Sequence, residues 1–141
     1  MSQANASNNL GRIAAERGDA MEALERYQEA LGIYQALQDP RNIAFTLNNM
    51  GQLLIDVGAY DAAKDALIQS VKIAERIGNV QLAAANYNAL GKLSVGQGDF
   101  VSAKAWFAKS LSMFESLRDE ENAAITRRNV ERVTAQINGG K

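Results

Sequence analysis

Three stretches of this chain align with one another without a gap: residues 4–18 (ANASNNLGRIAAERG), 44–58 (AFTLNNMGQLLIDVG) and 84–98 (AANYNALGKLSVGQG). Each stretch has a glycine at its eighth position and another at its last position. The glycines therefore recur every 40 residues, as Gly11, Gly51 and Gly91 and as Gly18, Gly58 and Gly98. A constant interval of this size indicates an internal structural repeat, so we expect one supersecondary unit to occur three times.

The residues that follow each stretch keep the same interval. Like residues occupy corresponding positions in the three units, as in Ala23, Ala63 and Ala103, in Tyr27, Leu67 and Phe107, and in Leu31, Val71 and Leu111. Within a unit, apolar residues are separated by three or four positions, as for Leu47, Met50 and Leu54. This is the spacing of one face of an α-helix, and breaks at half the interval predict two helices in each unit.

Short polar residues mark the starts of the predicted helices. Five of them stand directly after a break: Asp19, Asp39, Asn79, Asp99 and Asp119. Such side chains accept hydrogen bonds from the unpaired amides of a first helical turn, and a preceding glycine can take the left-handed conformation that ends a helix. The only proline, Pro40, stands where a helix tolerates it. We therefore expect seven helices, starting near residues 3, 20, 40, 60, 80, 100 and 120.

These residues resemble the signature of the tetratricopeptide repeat family, W-x2-L-G-x2-Y followed by A-x3-F. The second unit matches it as Leu47-x2-Met50-Gly51-x2-Leu54 with Ala63-x3-Leu67, and the third unit as Tyr87-x2-Leu90-Gly91-x2-Ser94 with Ala103-x3-Phe107. The interval exceeds the family's usual length of about 34 residues. It is similar to the longer repeats of kinesin light chain, of the Leu-Gly-Asn-rich adaptors and of bacterial regulators with helical repeats.

The resemblance covers nearly the whole chain and implies an all-α fold. Helix hairpins would stack into a right-handed α-solenoid of three repeats followed by a C-terminal capping helix. Residues 1–141 would form a single domain, with repeats at about 1–38, 39–78 and 79–118 and the capping helix at about 119–137.

Both ends of the chain depart from the repeated pattern. Asn5 and Ser7 replace residues that are mostly apolar in later repeats, which suits a first helix that has no repeat before it. The last helix has Glu131 at the position of the repeated glycine, so it resembles a closing helix. Its apolar residues are expected to cover the third repeat: Val130, Val133 and Ile137. The tail, residues 138–141, is expected to fray.

The composition excludes most catalytic sites. The chain has no His and no Cys, so the commonest general base, the usual zinc ligands and a thiol nucleophile are missing. We therefore expect no enzyme activity, no cofactor and no metal. The net charge of −1 does not favour nucleic acid or an anionic membrane as a partner. Neither a signal peptide nor an apolar span of about 20 residues is recognisable, so we expect a cytoplasmic protein.

In the tetratricopeptide repeat family, the first helix of each hairpin lines a concave groove that receives peptides. The resemblance implies a groove formed here by Asn8, Asn9, Arg12, Phe45, Asn48, Asn49, Gln52, Asn88, Lys92, Arg128 and Arg132. The recurring amides have two interpretations: they bond the backbone of a ligand, or they bond neighbouring helices. The family's carboxylate clamp, a Lys and Asn pair in the first helix, is not reproduced, because Asn8 and Arg12 stand there.

We therefore expect a non-catalytic scaffold or adaptor that binds a protein or peptide segment in this groove. The basic residues would favour an acidic segment. One alternative is a homo-oligomerisation module that associates through an end or through its convex face. Another is a sensor or regulatory part of a larger bacterial signalling or transcription regulator. Trp106 has two interpretations as well, since it either covers the closing helix or marks a contact surface.

Overall fold

The computed structural model describes residues 2–139, and in this range the chain forms seven helices and no strand. The helices are α1 (Gln3–Glu16), α2 (Ala20–Ala36), α3 (Pro40–Asp56), α4 (Tyr60–Arg76), α5 (Val80–Gly96), α6 (Phe100–Ser116) and α7 (Glu120–Gly139). The all-α fold and all seven predicted starts are confirmed. Asn138 and Gly139, expected to fray, belong to α7, which therefore runs beyond the expected end at residue 137. The rest of that expectation, for Gly140 and Lys141, lies outside the described residues.

Every link between consecutive helices has the same backbone hydrogen bonds, and in every link except the one before α4, where Ala59 stands, a side chain caps the next helix. In the first link, the Gly18 amide donates to the carbonyl oxygen of Ala15 at 3.0 Å. The Asp19 amide donates to the carbonyl oxygen of Ala14 at 2.9 Å, which closes α1. The Asp19 carboxylate then accepts from the Glu22 amide at 3.1 Å, which caps α2. Because one residue ends a helix and caps the next, the chain reverses direction within three residues.

The other five links repeat these backbone hydrogen bonds. The predicted caps are confirmed, since five side chains accept from an amide of the following first turn: Asp19, Asp39, Asn79, Asp99 and Asp119. The second residue of each link has a positive φ. It is a glycine in four links, whereas Gln38 (φ 54°) and Arg118 (φ 58°) occupy it in the other two. The same link used six times gives successive hairpins the same geometry.

The odd-numbered helices line the inner side of the stack. Helix α3 lies against both α1 and α5, whereas in the described part of the chain successive even-numbered helices make no comparable contact. In a curved stack the helices on the concave side approach one another most closely, so α1, α3 and α5 form the concave face. Helix α7 continues this face, because Asn129 on it bonds Asn88 of α5. Among residues 2–139, no helix is long and apolar enough to cross a membrane.

The repeated glycines allow the two helices of each hairpin to touch. A Cβ atom added at Gly51 would lie 2.6 Å from Cγ of Leu67, and one at Gly11 would lie 2.8 Å from the ring of Tyr27. In the third hairpin the corresponding contact is with the ring of Phe107. Leu90, beside the third of these glycines, is only 1% exposed. The column of glycines on the first helix of each hairpin and the column of large side chains on the second helix thus form the two sides of one helix–helix contact.

The closing helix packs as expected. Val133 is buried together with Ala103 and Phe107 of α6, and Val130 and Ile137 pack against the same cluster. The prediction that these three residues of α7 cover the third repeat is therefore confirmed.

Two polar residues of α1, Asn5 and Ser7, have partners on α2 that the sequence did not indicate. The Tyr34 hydroxyl donates to Asn5 Oδ1, and Ser7 Oγ donates to Glu29 Oε1 at 2.7 Å. The sequence predicts that Asn5 and Ser7 suit a first helix that has no repeat before it. Their hydrogen bonds show in addition that they fasten the first hairpin together.

Trp106 of α6 is half-buried and packs against Tyr87 of α5. The two rings are stacked, with centroids 5.7 Å apart and planes inclined by 16°. The Lys109 ammonium lies 4.4 Å from the centroid of the Tyr87 ring, and the Tyr87 hydroxyl donates to Glu75 at 2.9 Å. Burial and this bond to Glu75 raise the pKa of Tyr87. The packing of Trp106 is thus against the first helix of its own hairpin, which neither of its two interpretations anticipated.

Gly51→Ala is expected to destabilise the domain by about 1–3 kcal/mol, because the added methyl group must displace Leu67 in a packed core. Gly32→Ala is the matched control. Gly32 lies inside α2 with no atom within 4 Å of an added Cβ, so its replacement should stabilise the protein by about 0.5–1 kcal/mol. Urea unfolding followed by circular dichroism measures both changes. The same sign for both variants would contradict the proposed helix–helix contact.

Candidate functional site

The candidate site is the concave face formed by the odd-numbered helices. All eleven predicted residues lie on these helices, and eight of them form two columns along the stack, Asn8, Asn48, Asn88 and Arg128 in one and Arg12, Gln52, Lys92 and Arg132 in the next. The other three are Asn9 on α1 and Phe45 and Asn49 on α3. The second column is exposed along its whole length, whereas in the first Asn8 and Asn88 are half-buried. Phe45, on α3, is 45% exposed. The face therefore offers charged, amide and aromatic groups to a ligand.

Two pairs of amides on the concave face join successive odd-numbered helices. Asn49 Nδ2 donates to Asn8 Oδ1 at 3.3 Å, between α1 and α3. Asn129 Nδ2 donates to Asn88 Oδ1 at 3.1 Å, between α5 and α7. A primary amide has two N–H donors and an oxygen with two lone pairs, so one such bond leaves each group able to bond a ligand as well. At these four positions an amide can therefore bond a neighbouring helix and the backbone of a ligand at the same time.

Asn48 has a different environment, because it is buried and bonded on both sides. Its Nδ2 donates to Asn86 Oδ1 at 2.7 Å, and its Oδ1 accepts from Gln52 Nε2 at 2.7 Å. Asn86 is fully buried and donates to Ser70 Oγ at 2.8 Å, which in turn donates to the carbonyl oxygen of Ala44 at 2.6 Å. This chain of bonds ties α3, α4 and α5 together. Asn48 thus orients the exposed Gln52 instead of pointing at a ligand.

Sequence reasoning missed Asn86 and Ser70. Ser70 has a counterpart at the same repeat position, Ser110, whose hydroxyl donates to the carbonyl oxygen of Ala84 at 2.7 Å. A recurring serine on an otherwise apolar helix face was therefore an available signal. Asn86 had no such signal, because Ala6 and Thr46 occupy its position in the other repeats.

Depressions lie between neighbouring inner helices. The one between α1 and α3, here called the first depression, has a volume of about 390 Å³ and includes Arg12, Glu16, Asn49, Gln52 and Asp56. The one between α5 and α7, the second depression, has about 450 Å³ and includes Lys92, Val95, Phe100, Asn129 and Arg132. A third, of about 380 Å³, lies beside Phe45 and Leu82. Each is large enough to receive a side chain of a ligand.

The two ends of the groove differ in charge. In the first depression Arg12 shares the space with Glu16 and Asp56. Tyr27, in the same depression, has a pKa raised mainly by burial, with Arg12 lowering it and Glu16 raising it, so both charges act on one phenol. The lining of the second depression contains Lys92 and Arg132 and no carboxylate. Arg12, predicted to favour an acidic segment, therefore lies beside two carboxylates, and its preference for such a segment stays a prediction.

The fold and the repeated columns agree with the comparison with protein families. A family model described as tetratricopeptide repeat matches residues 2–76, which is more than half of the chain. The chain therefore belongs to the tetratricopeptide repeat family. No curated protein matches the sequence.

Solved structures share the fold at low sequence identity. A Rap protein complexed with competence and sporulation factor has a TM-score of 0.89 at 17% identity, over 96% of this chain and 38% of the Rap chain. The N-terminal domain of stress-induced protein-1 from C. elegans has 0.69 at 23%, over 93% and 94%. BtubC from P. vanneervenii has 0.70 at 18%, over 96% and 65%. This chain thus spans about two fifths of the Rap chain, and these similarities establish the fold alone.

Asn86→Ala is expected to destabilise the domain by about 1–3 kcal/mol, since the buried amide of Asn48 and the hydroxyl of Ser70 each lose a partner. Asn138→Ala is the control, because Asn138 is an exposed residue near the end of α7 and should change stability by less than about 0.5 kcal/mol. Urea unfolding of both variants tests the prediction. Equal midpoints for the two would show that the buried network contributes nothing to stability.

Proposed function

We propose that this protein is a non-catalytic scaffold that holds an extended peptide or protein segment on its concave face. The observation that carries the proposal is the row of amide and charged groups on the inner helices, flanked by depressions of about 380 to 450 Å³. Family membership supports a role in protein–protein interaction in general. The Rap protein with a similar fold is one that was solved in complex with a factor.

The amides would bond the ligand backbone. Asn8, Asn49, Asn88 and Asn129 are half-buried and already paired with each other, so their side chains are held in place before a ligand arrives. Preorganised groups lose less conformational entropy on binding. Because they address backbone atoms, they would accept many ligand sequences. Asn9 belongs to the same face of α1 and is part of the proposed groove.

Selectivity would come from the charges and from the apolar side chains at the depressions. Lys92 and Arg132 line the second depression, and Arg128 lies one helical turn before Arg132 on α7. These three cations would favour acidic residues in the bound segment. Phe45, with Leu82 beside it, would contact an apolar side chain.

The absence of a catalytic role is part of the proposal. The sequence has no His and no Cys. Among residues 2–139, no group of three or more acidic side chains is placed to hold a metal ion. The groove as described supplies hydrogen bonds, charge and apolar surface, which are the means of binding.

Asn49→Ala is expected to weaken the binding of many different peptides by a similar factor, about fivefold or about 1 kcal/mol, because it removes a bond to backbone atoms. Lys92→Glu should weaken acidic peptides selectively, and their binding should also weaken with increasing salt. Peptides selected from a random library, measured by fluorescence anisotropy at two salt concentrations, test both effects. Lys72→Glu, at an exposed position on α4, is the control. Acidic peptides indifferent to Lys92→Glu and to salt would refute the electrostatic half alone.

Self-association is a second candidate, favoured by one observation at the N-terminal end. Leu10 and Ile13 of α1 are 46% and 42% exposed, whereas their counterparts in the later repeats are buried. Those counterparts are Met50 and Leu90, and Leu53 and Leu93. In α3, Met50 and Leu53 pack against the first hairpin. A second copy of the chain could cover Leu10 and Ile13 in the same manner.

Self-association predicts a mass that rises with protein concentration in sedimentation equilibrium. The double variant Leu10→Ser, Ile13→Ser should remain monomeric, because apolar area is lost from the contact. Met21→Ser is the control, since Met21 is more exposed than either residue but lies on α2. A wild-type chain that stays monomeric at all accessible concentrations excludes this candidate and leaves the groove unaffected.

A further inference from the structure

The charged groups of the groove are sorted along the stack. Glu16 of α1 and Asp56 of α3 occupy one repeat position, and Gly96 and Gln136 stand at that position on α5 and α7. The basic column beside it continues through all the repeats except at Gln52. The first depression therefore has one more negative than positive charge, whereas the second has two positive charges and no negative one.

These charges are not used up by ion pairs within the protein. In residues 2–139, the ion pairs of 4.0 Å or less involve Arg26, with Glu22 and Glu29, and Arg127, with Glu115. None of these residues lines the first or the second depression. The charges of both depressions therefore remain able to pair with a ligand.

The distance between the two depressions limits what can reach both. They are separated by two steps from one inner helix to the next, and packed helices lie about 8–10 Å apart. The separation is therefore about 20 Å, which about six residues of extended chain would span. A single short segment could contact both ends.

We propose that the groove binds its ligand segment with a basic side chain at the first depression and, about six residues away, an acidic side chain at the second. An apolar side chain next to the acidic one would enter between Val95 and Phe100. This inference rests on the proposed function, since it concerns the ligand of the same groove. The opposite orientation of charges would place like charges together at both ends, which opposes binding.

The test begins with a displayed library of random peptides of about twelve residues, twice the span between the depressions. Selected peptides are expected to carry Lys or Arg and Asp or Glu at that separation, in either order along the peptide. For each of the best peptides, a second peptide is made in which the basic residue is replaced by Glu, so that like charges meet at the first depression in either chain direction. The substituted peptide should bind the wild-type protein about fivefold more weakly, as expected when one exposed charge pair becomes a repulsion.

The protein is altered in the complementary sense. In the variant Asp56→Lys the preference should invert, so that the peptide with Glu in place of its basic residue binds more tightly than the selected one. The matched control is Asp65→Lys, which makes the same change at an exposed position of α4 and should retain the wild-type preference. Circular dichroism of each variant confirms that the fold is intact.

The outcomes separate this inference from the proposed function. Peptides that bind with equal affinity before and after the replacement of their basic residue, in a manner sensitive to Asn49→Ala, overturn the inferred placement of charges and leave the groove as the binding site. A preference that does not invert in Asp56→Lys also overturns it. A library without any binder, or binders indifferent to Asn49→Ala and Lys92→Glu, overturns the proposed function itself.

Discussion

The close approach of two helices at a glycine is the contact on which the rest of the structure depends. At Gly11, Gly51 and Gly91 the backbone of the inner helix meets a large side chain of the outer helix: Tyr27, Leu67 or Phe107. A Cβ atom would not fit there, so the hairpin could not close at this distance. Since each hairpin buries its remaining apolar face only against its neighbours, the stack forms only if each hairpin is closed.

The links turn this contact into a regular array. Each uses three residues, and its last residue both ends one helix and precedes the next. Because the geometry is the same six times, positions 40 residues apart face the same way on successive inner helices. Like residues that recur every 40 positions in the sequence therefore form a line along the concave surface. This is why the amides and the charges can act together on one extended segment.

The buried polar network shows that residues at one repeat position can differ in role, one stabilising the fold and the others remaining accessible to a ligand. Asn48 belongs to the same column as Asn8 and Asn88, yet it is 6% exposed and bonded to Asn86 and Gln52. The position 38 residues further on holds Asn86 for Asn48, whereas Thr46 and Thr126 hold it for Asn8 and Asn88, so only Asn48 has an amide partner there. Residues of one column thus lie on the same face of successive inner helices, but their side chains do not all have the same role.

The sequence by itself determined the repeat, the seven helices and their caps. These features depend on signals within a few residues, such as a capping carboxylate at Asp99 or the spacing of apolar residues on one helix face. Only the tertiary structure decided that Asn48 is buried and that Arg12 shares a depression with Glu16 and Asp56. Both depend on distances between residues of different helices, set by how closely neighbouring hairpins pack. Such distances follow from the size and shape of the side chains between the helices, which no local pattern records.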